Sequence, residues 1–304
     1  MTRSTLRGCT MLVIALACVT ATGESGQLTY SRGQNIVAAF EGWERGADGT
    51  VSMVFSYFNR NYEEILDVPI GPANSIEPGG PDQGQPTHFL PGRHRFVFSV
   101  RVPQDWGPSK RLVWTLVVRG KTEKANAFLL PEWEINNQVR AQNGDGSGAG
   151  GGGNAAEYNE APKISVGAPQ SIILPDAATL TAFVTDDGLP KPRAPRRPPA
   201  ARSGAATAGG GAAAADTGGA AGSPATATGP AAPAVSLLRV NWIMFRGPVG
   251  AAVTFAPEKS PVTEGKAVTT ARFSLPGQYV VRGYADDGAV TAPADIVVTV
   301  AAQK

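Results

Sequence analysis

Apolar and polar residues alternate along two long regions of the chain. In the first region the alternation is clear at 51–58, at 95–103 and at 111–118, with turn-rich stretches between them. Side chains on a β-strand point alternately to its two faces, so this pattern indicates half-buried antiparallel strands. Nowhere does helical periodicity extend over the dozen residues that a helix needs. Residues 27–140 are therefore predicted to form a β-sandwich of about seven strands.

The strand at 95–103 gives the clearest face assignment in this region. If it is regular, its apolar residues share one face and its polar residues share the other. The apolar set is Phe96, Phe98, Val100 and Val102, and the polar set is Arg95, Ser99 and Arg101. We recognise no characterised family in this N-terminal region.

The second region alternates in the same way at 164–190, 240–248, 273–288 and 295–300. It predicts a second antiparallel β-sandwich over residues 161–301. The residues expected to face its core are Leu180, Ala182, Val184, Val240, Trp242, Met244, Tyr279, Val281, Gly283, Ala285, Ile296, Val298 and Val300.

The spaced motifs of this second region resemble the PKD family of immunoglobulin-like extracellular domains. The resemblance implies that Trp242 takes the central position of a strand-C tryptophan and that Tyr279, after Pro276-Gly277, is a structural tyrosine. It also implies that the strands ending near Val184 and containing Trp242 are strands B and C. The fold class predicted for the whole chain is thus all-β, with two immunoglobulin-like sandwiches.

Two segments of biased composition divide the chain further. Residues 141–160 are rich in Gly and are predicted to be a flexible linker, on which the two sandwiches can reorient unless their surfaces dock. Residues 190–234 contain no Val, Leu, Ile, Met or aromatic residue. Such a segment cannot bury enough apolar surface to offset its ordering entropy, so it is predicted to be a disordered insertion in the B–C loop.

The N-terminus carries the features of an export signal. Residues 1–23 combine two arginines, a short apolar run at 11–19 and small residues near the end, as a signal peptide does. The apolar run is shorter than the roughly 20 residues of a membrane span. The tetrapeptide at 15–18 resembles a lipobox, so Cys18 is a candidate for lipidation, which would tether the chain to a membrane without crossing it. Cys9 and Cys18 are the only cysteines.

The net charge of the chain indicates no charged partner, whereas one short segment carries a cluster of cations. The net charge is only +2, so no nucleic-acid or other polyanion partner follows from the total. A basic strip at the start of the insertion is a candidate polyanion contact or, alternatively, a spacer kept soluble by its charges. Its cations are Lys191, Arg193, Arg196, Arg197 and Arg202.

Two Asp-Asp-Gly tripeptides are the candidate metal ligands. Asp186, Asp187, Asp286 and Asp287 begin loops that a sandwich would place at the same end of the domain. Four carboxylates at one end could hold calcium, which prefers oxygen ligands. The alternative is turn chemistry, because Asp side chains accept hydrogen bonds from nearby backbone amides and Gly supplies a positive φ. Calcium is the only cofactor that the sequence suggests.

One sheet face of the second sandwich is unusually apolar. Residues that alternate with its predicted core point outward and form a patch large enough to need covering. They are Ile243, Phe245, Val280, Tyr284 and Val297. The first sandwich, a second copy of the chain or another protein could cover this patch.

Aromatic residues and histidines complete the candidate sites. Trp43, Trp106 and Trp133 lie at or beyond strand ends, where they could stack on sugar rings or cap the core. His88 and His94 flank a Pro-Gly turn without an evident acidic partner, which favours a turn or surface role.

The sequence contains no HExxH motif of zinc proteases and no G-x-S-x-G motif of serine hydrolases. Gly146, Gly148 and Gly151 match the G-x-G-x-x-G pattern of nucleotide-binding loops, but they lie in the linker, with no predicted strand before them and no predicted helix after them. We therefore predict an exported, non-catalytic protein of the cell envelope or extracellular space that serves adhesion, spacing or scaffolding. Its expected partner is an envelope polysaccharide or a surface protein, with membrane contact only through the lipid anchor. A carbohydrate-binding protein that uses the loop tryptophans is the alternative, and an unrecognised hydrolase with a carboxylate site is the third reading.

Overall fold

The computed structural model describes residues 30–146, 159–191 and 237–303. The predicted signal peptide with Cys18, residues 147–158 of the predicted linker and nearly all of the predicted insertion lie outside the described residues. Of the basic strip only Lys191 is described, and its side chain is exposed. Arg193, Arg196, Arg197 and Arg202 lie outside.

The N-terminal domain is built from eight strands within residues 30–146. They are β1 (Ile36–Arg45), β2 (Val51–Asn59), β3 (Leu66–Asp67), β4 (Asn74–Glu77), β5 (His88–Phe89), β6 (Gly92–Val102), β7 (Leu112–Val118) and β8 (Lys121–Ala127). Sheet β1-β2-β6 and sheet β4-β7-β8 enclose the core, and β3 pairs with β5. A 3-10 helix (Pro131–Trp133) and the helix α1 (Asn137–Gln142) follow β8.

Strand β6 departs from the regular alternation that its sequence predicts. The β2–β6 register shifts between the pairs Phe55–Phe98 and Tyr57–His94, so β6 carries extra residues at this point. Such a bulge changes which face the neighbouring side chains occupy. Phe96, at the bulge, has a φ of 49° and packs in a separate small cluster outside the main core. The prediction that Phe96 shares the face of Phe98 is therefore wrong.

The C-terminal domain is built from nine strands in its described part. They are β9 (Lys163–Val166), β10 (Gln170–Ile173), β11 (Ala177–Thr185), β12 (Arg239–Arg246), β13 (Val253–Ala256), β14 (Lys259–Pro261), β15 (Lys266–Phe273), β16 (Gly277–Asp286) and β17 (Thr291–Ala301). One sheet has the order β10-β17-β16-β12-β14 and the other has the order β13-β15-β11-β9. This is an immunoglobulin-like arrangement, and the all-β, two-sandwich fold class is confirmed.

The core of this second sandwich is the one that the alternation predicts. Every residue assigned to it from the sequence is buried. Trp242 lies between the two sheets, and its Nε1–H donates to the Ser260 hydroxyl over 3.1 Å. The Tyr279 hydroxyl donates to the Leu275 carbonyl oxygen over 2.7 Å, so both large polar aromatics have a hydrogen-bond partner.

The predicted linker is ordered at both of its described ends. Its first residues belong to α1, whose N-cap Asn136 accepts a hydrogen bond from the Val139 amide over 3.0 Å. This helix has only six residues, so it leaves no periodicity that a sequence pattern could show. The backbone amide of Gly146 then donates to the Ala289 carbonyl oxygen of the second domain. The segment that contains α1 and Gly146 is therefore attached to both domains.

Candidate functional site at the joint between the domains

The apolar face of the second sandwich packs against the first domain. Phe245, on β12, is only 2% exposed and belongs to the core cluster of the N-terminal domain. Ile243 and Val280 are half-buried and pack against the same cluster. Val297 is half-buried and lies outside that cluster. Of the three occupants left open by the sequence, the first sandwich is the one in contact with this face.

Strand irregularities on both sides shape this contact. The β12–β16 register shifts between Met244 and Arg246, which places the bulge at Phe245. On the facing domain, the bulge of β6 contains Val97, whose carbonyl oxygen accepts hydrogen bonds from the second domain. Bulges expose backbone groups and turn side chains away from the regular pleat. The two bulges therefore meet at the joint. Regular strands would not present these backbone groups and side chains to the facing domain.

Arg282 is the central polar residue of the joint, and no pattern in the sequence predicts its role. Its guanidinium makes two hydrogen bonds to the Asp295 carboxylate, of 2.6 and 2.8 Å, and a third to the Val97 carbonyl oxygen. It also lies over the Phe245 ring, and the hydroxyl of Tyr284 donates to the same Val97 oxygen. Burial lowers the pKa of Arg282, but the Asp295 carboxylate outweighs it and raises the pKa above its usual value.

A second arginine fixes the edge of the joint. The Arg246 guanidinium makes two hydrogen bonds to the Asp82 carboxylate, of 2.7 and 3.1 Å, and donates a third to the Gln85 carbonyl oxygen. The adjacent Thr87 amide donates to the carbonyl oxygen of Phe245. Backbone and side-chain hydrogen bonds therefore both cross the joint at this edge.

His88 has an acidic partner, contrary to the expectation from the sequence. Its Nδ1 lies 2.7 Å from Asp67 Oδ1, because the short strands β3 and β5 place the two residues opposite each other. The other oxygen of Asp67 accepts the amide of Gly250 in the second domain over 2.8 Å. Burial raises the pKa of Asp67, but the hydrogen bonds from His88 and Gly250 outweigh it and hold the pKa below its usual value. Strands of two residues show no periodicity, so the sequence could not reveal this pair.

A third polar cluster joins α1 to the second domain. Arg140 donates to the carboxylates of Asp145 and Glu44, over 2.7 and 3.0 Å, and to the Thr291 carbonyl oxygen over 3.2 Å. Asp145 in turn accepts the amide and the hydroxyl of Thr291. The start of the predicted linker is thus held against β17 by charged hydrogen bonds.

The carboxylates of the two Asp-Asp-Gly tripeptides accept hydrogen bonds within their own turns. Asp186 and Asp286 each accept the amide of the glycine two residues later, over 2.9 and 2.8 Å. Asp187 and Asp287 accept amides two residues on as well. The described residues contain no group of three or more His, Cys, Asp or Glu side chains placed to hold a metal ion. The contacts are those of turns, and the calcium prediction gains no support from them.

The two turns nevertheless lie at the same end of the domain, as the sandwich topology predicts. Burial, followed by the charges of Asp287 and Asp187, raises the pKa of Asp186. The second end of the predicted linker binds here, because the Asn159 side-chain amide donates to Asp287 over 2.9 Å and the Glu160 amide donates to Asp187 over 3.0 Å. Both described ends of the linker are therefore attached to turns of the second domain.

The three candidate sugar-stacking tryptophans differ in exposure. Trp43 is buried in β1, and its Nε1–H donates to the Leu130 carbonyl oxygen over 2.7 Å. Trp106 is also buried in the N-terminal core. Trp133 is 41% exposed and stacks on Phe40 with ring centroids 5.6 Å apart. Two of the three rings therefore cap the core, and Trp133 alone among them offers surface to a ligand.

A cleft of about 340 Å³ opens along the joint. One wall is formed by β6 and carries Arg93, His94 and Arg95, and the opposite wall carries Arg239, Asn241 and Lys259. His94 stacks on Tyr57 at a centroid distance of 4.8 Å, and burial lowers its pKa. No helix in residues 30–146, 159–191 or 237–303 combines the length and apolar character that crossing a membrane requires.

No protein-family model and no curated protein matches this chain. Among solved structures, it is similar to domains 4 and 5 of the S-layer protein SbsC at 10% identity, over 63% of this chain and 65% of that one, with a TM-score of 0.24. It is also similar to the D00-D0 domain of intimin at 13% identity, over 87% and 100% of the two chains, with a TM-score of 0.25.

A third similarity is to the fibronectin(III)-like modules of CbhA from Clostridium thermocellum, at 10% identity over 88% and 95% of the two chains, with a TM-score of 0.22. The chain spans less than two thirds of the SbsC fragment of domains 4 and 5, and 31% of a fragment of domains 4–9. At such identities and TM-scores these similarities carry no argument about function.

Proposed function

We propose that this protein is an exported, non-catalytic component of the cell envelope or extracellular space that serves adhesion, spacing or scaffolding. The observation that supports this proposal most is the burial of Phe245 from the second domain in the core of the first. Domains joined by a tether are expected to move relative to each other unless their interface is large and apolar. A shared core maintains one relative orientation, which a spacer or scaffold requires.

The second domain is, in this proposal, a PKD-like domain. The immunoglobulin-like strand order, the buried Trp242 on β12 and the hydrogen-bonded Tyr279 on β16 all support this assignment. The N-terminal domain is assigned to no family.

The fixed joint can be tested by measuring the distance between the domains. The chain has no cysteine after residue 18, so cysteines introduced at the exposed positions Lys124 and Lys266 accept spin labels uniquely in the mature protein. A spacer predicts one narrow distance distribution, which Phe245→Ala broadens. A broad distribution in the unaltered chain would contradict the spacer role.

The role at the envelope needs a separate test. We expect the folded mature chain to be retained on isolated envelopes, and a chromosomal deletion to weaken attachment or envelope integrity in the source cells. Hydrolysis of any envelope polymer by the purified protein would contradict the non-catalytic proposal and support the hydrolase reading.

Export rests on residues outside the described part. Fractionation of cells that express the full chain, beside a version lacking residues 1–23, tests the signal peptide. Labelling with a fatty-acid analogue tests the lipid anchor, since Cys18→Ser is expected to abolish labelling and Cys9→Ser is expected to preserve it. Labelling of both variants would contradict lipidation at Cys18.

The basic strip at the start of the insertion 190–234 is proposed to bind anionic envelope polymers by charge. Retention of the mature chain on such polymers is expected to fall at high salt, because screening weakens exposed charge interactions. Retention is also expected to fall when 190–234 is deleted. Equal retention of both versions would reduce this segment to a spacer.

Glycan binding remains the second candidate because Trp133 is exposed. If the surface around it binds neutral polysaccharides, Trp133→Ala will abolish the binding, since stacking requires the ring. Tyr62→Ala, at a more exposed aromatic residue on another loop, is the matched control. Binding that survives Trp133→Ala would exclude this site.

A further inference from the structure

Strand β13 lies at the edge of its sheet, and one side of its backbone is unpaired. Among the described strands its one ladder partner is β15. The Ser274 amide donates to the Ala252 carbonyl oxygen, so the backbone groups of Ala252 point toward β15. Successive residues of a strand direct their N–H and C=O groups to opposite sides. The N–H and C=O groups of Val253 and Phe255 therefore point away from β15, and no described residue bonds to them.

This edge lacks the features that usually protect an unpaired strand. An open edge is a template for pairing with another chain, and natural edges are commonly blunted by lysine, other charges or proline. The strand β13 contains neither a charged residue nor a proline. By contrast, the edge strand β9 begins with Lys163, and the edge strand β14 contains Lys259 and Pro261. The unpaired side of β13 is therefore open to an incoming strand.

A groove of about 460 Å³ lies beside this edge and spans the joint. The second domain contributes β13 and part of β12, and the first domain contributes residues on the other side. Its main apolar side chains are those of Ile65, Leu90, Ile243, Met244, Val253 and Phe255. Ile65 is 47% exposed although its side chain is large and apolar. The groove therefore offers apolar surface next to unpaired backbone groups.

The charged groups that line the groove are acidic, apart from His88. They are Asp67 and Glu258, and no lysine or arginine lines it. The Asp67 carboxylate is already engaged by His88 and by the second domain. Glu258 is exposed and makes no ion pair with another described residue. Lys259 follows it in the chain but lines the joint cleft instead. Charge complementarity at the groove therefore favours a basic residue in its partner.

We infer that β13 and its groove bind an extended peptide segment of another protein, which adds a strand to the sheet. The peptide backbone would pair with the N–H and C=O groups of Val253 and Phe255, which are spaced by about 7 Å as alternate residues of a strand are. In this binding mode main-chain hydrogen bonds give affinity, and contacts of alternate side chains give specificity. Apolar side chains on one face of the peptide would fill the groove, and a lysine or arginine would lie beside Glu258.

A single extended segment fits this site better than the sheet edge of a second copy does. Ile65 and Leu90 face β13 across the groove, and the shared core around Phe245 holds the first domain in place. A second folded sandwich would extend the sheet into the space that the first domain fills. The inference goes beyond the proposed envelope role and does not depend on it, because peptide binding is measured without envelopes.

Selection of a phage-displayed peptide library on the immobilised mature chain tests the inference. The library contains short peptides that alternate apolar and polar residues, and we expect it to yield peptides that bind saturably in calorimetry. Ile65→Asp places a charge in the groove and should weaken their binding at least about tenfold. Ile173→Asp, at an exposed isoleucine of β10, is the matched control and should bind as the unaltered chain does.

Two backbone measurements distinguish strand addition from unspecific apolar contact. Binding should protect the amides of Val253 and Phe255 from hydrogen exchange, whereas the Thr254 amide, which points toward β15, should change little. In the peptide, methylation of the alternate backbone amides that face β13 should abolish binding. Methylation of the other amides should preserve it.

Three results would overturn the inference. They are the absence of enriched peptides, equal binding by Ile65→Asp and Ile173→Asp, and equal effects of the two methylation patterns. The thermal unfolding midpoint shows whether each variant is folded. If Ile65→Asp unfolds, hydrogen exchange at Val253 and Phe255 in the unaltered chain decides the question, and unchanged exchange on peptide binding would exclude this edge.

Discussion

The guanidinium carbon of Arg282 lies 3.4 Å from the ring centroid of Phe245, in the middle of the joint between the two sandwiches. An arginine stacked on an aromatic ring gains cation–π attraction, which is strongest where water is excluded. Both residues come from the second domain, yet Phe245 is buried in the core of the first and Arg282 donates to a carbonyl oxygen of the first. The joint is therefore part of the folding core, and its variants should behave as core variants.

Truncation of Phe245 should destabilise both domains. Phe245→Ala removes a buried ring from the N-terminal core, and such a change typically costs about 3–5 kcal/mol of unfolding free energy. Urea unfolding followed by tryptophan fluorescence measures this loss. Phe183→Ala, at an exposed ring of the second domain, is the control and should change stability by no more than about 0.5 kcal/mol. Equal effects of the two substitutions would contradict the shared core.

Replacement of Arg282 by lysine should be costly although it conserves the charge. Lysine lacks the planar fork that makes two hydrogen bonds to Asp295 and it stacks poorly on Phe245. We expect a loss of about 2–4 kcal/mol in urea unfolding, because a buried ion pair would be left imperfectly paired. The same substitution at Arg45, whose ion pair with Glu134 is exposed, should cost less than about 1 kcal/mol. A neutral Arg282→Lys would show that the joint does not depend on this side chain.

The Asp67 carboxylate should make the joint sensitive to acid. Its pKa is lower in the folded chain than the ordinary value of 3.8, so its ionised form contributes stability that is present above that value and is lost as the pH falls through the lowered pKa. Asp67→Asn should cost about 1 kcal/mol near neutral pH, where hydrogen bonds to a carboxylate are replaced by weaker ones.

The stability difference between Asp67→Asn and the unaltered chain should shrink below about pH 4. Urea titrations across this range measure it, with Asp105→Asn at an exposed carboxylate as the control. A difference that stays constant with pH would mean that Asp67 acts through packing rather than through its charge.

Asp186 should show the opposite pH dependence. Its pKa is raised in the folded chain, so the folded state favours the protonated form and loses stability as the pH rises above the ordinary value of 3.8. Asp186→Asn should therefore stabilise the protein near neutral pH, by about 0.5 kcal/mol after allowance for solvent screening, and should have no effect in strong acid.

The same variant tests calcium at the two turns. The turn interpretation predicts that millimolar calcium leaves the unfolding midpoint unchanged. A calcium-dependent increase that Asp186→Asn abolishes would instead support the metal prediction made from the sequence.

The second sandwich could be predicted in detail from its sequence, whereas the joint could not. Residues such as Leu180 and Val298 alternate regularly, and regular alternation translates directly into a buried face. The alternation predicts that the side chain of Phe245 points outward from the second sandwich, but which surface it then contacts is determined by tertiary packing. Periodicity describes one strand at a time and contains no information on which surfaces meet.

The polar residues of the joint were missed for related reasons. Arg282 is a single cation inside an apolar strand. It can be buried because it lies opposite Asp295 on the neighbouring strand, and this pairing cannot be read from either strand alone. The bulge at Phe96 changes which face of β6 the neighbouring side chains occupy. It is a feature of the backbone conformation, which the pattern of apolar and polar residues does not reveal. His88 and Asp67 meet through strands of two residues each, too short to show a pattern.

The parallel pairing of β10 with β17 sets the direction in which these two strands would move if the domain were pulled at its two ends. Four consecutive residues of β10, Gln170–Ile173, are aligned with Val298–Ala301 near the end of β17. Tension along the chain draws β10 toward its beginning and β17 toward its end, so the two strands are sheared past each other. Under shear the hydrogen bonds of the ladder share the force and must break together, whereas a peeled hairpin loses them one by one. This geometry suits a domain through which the chain is stretched.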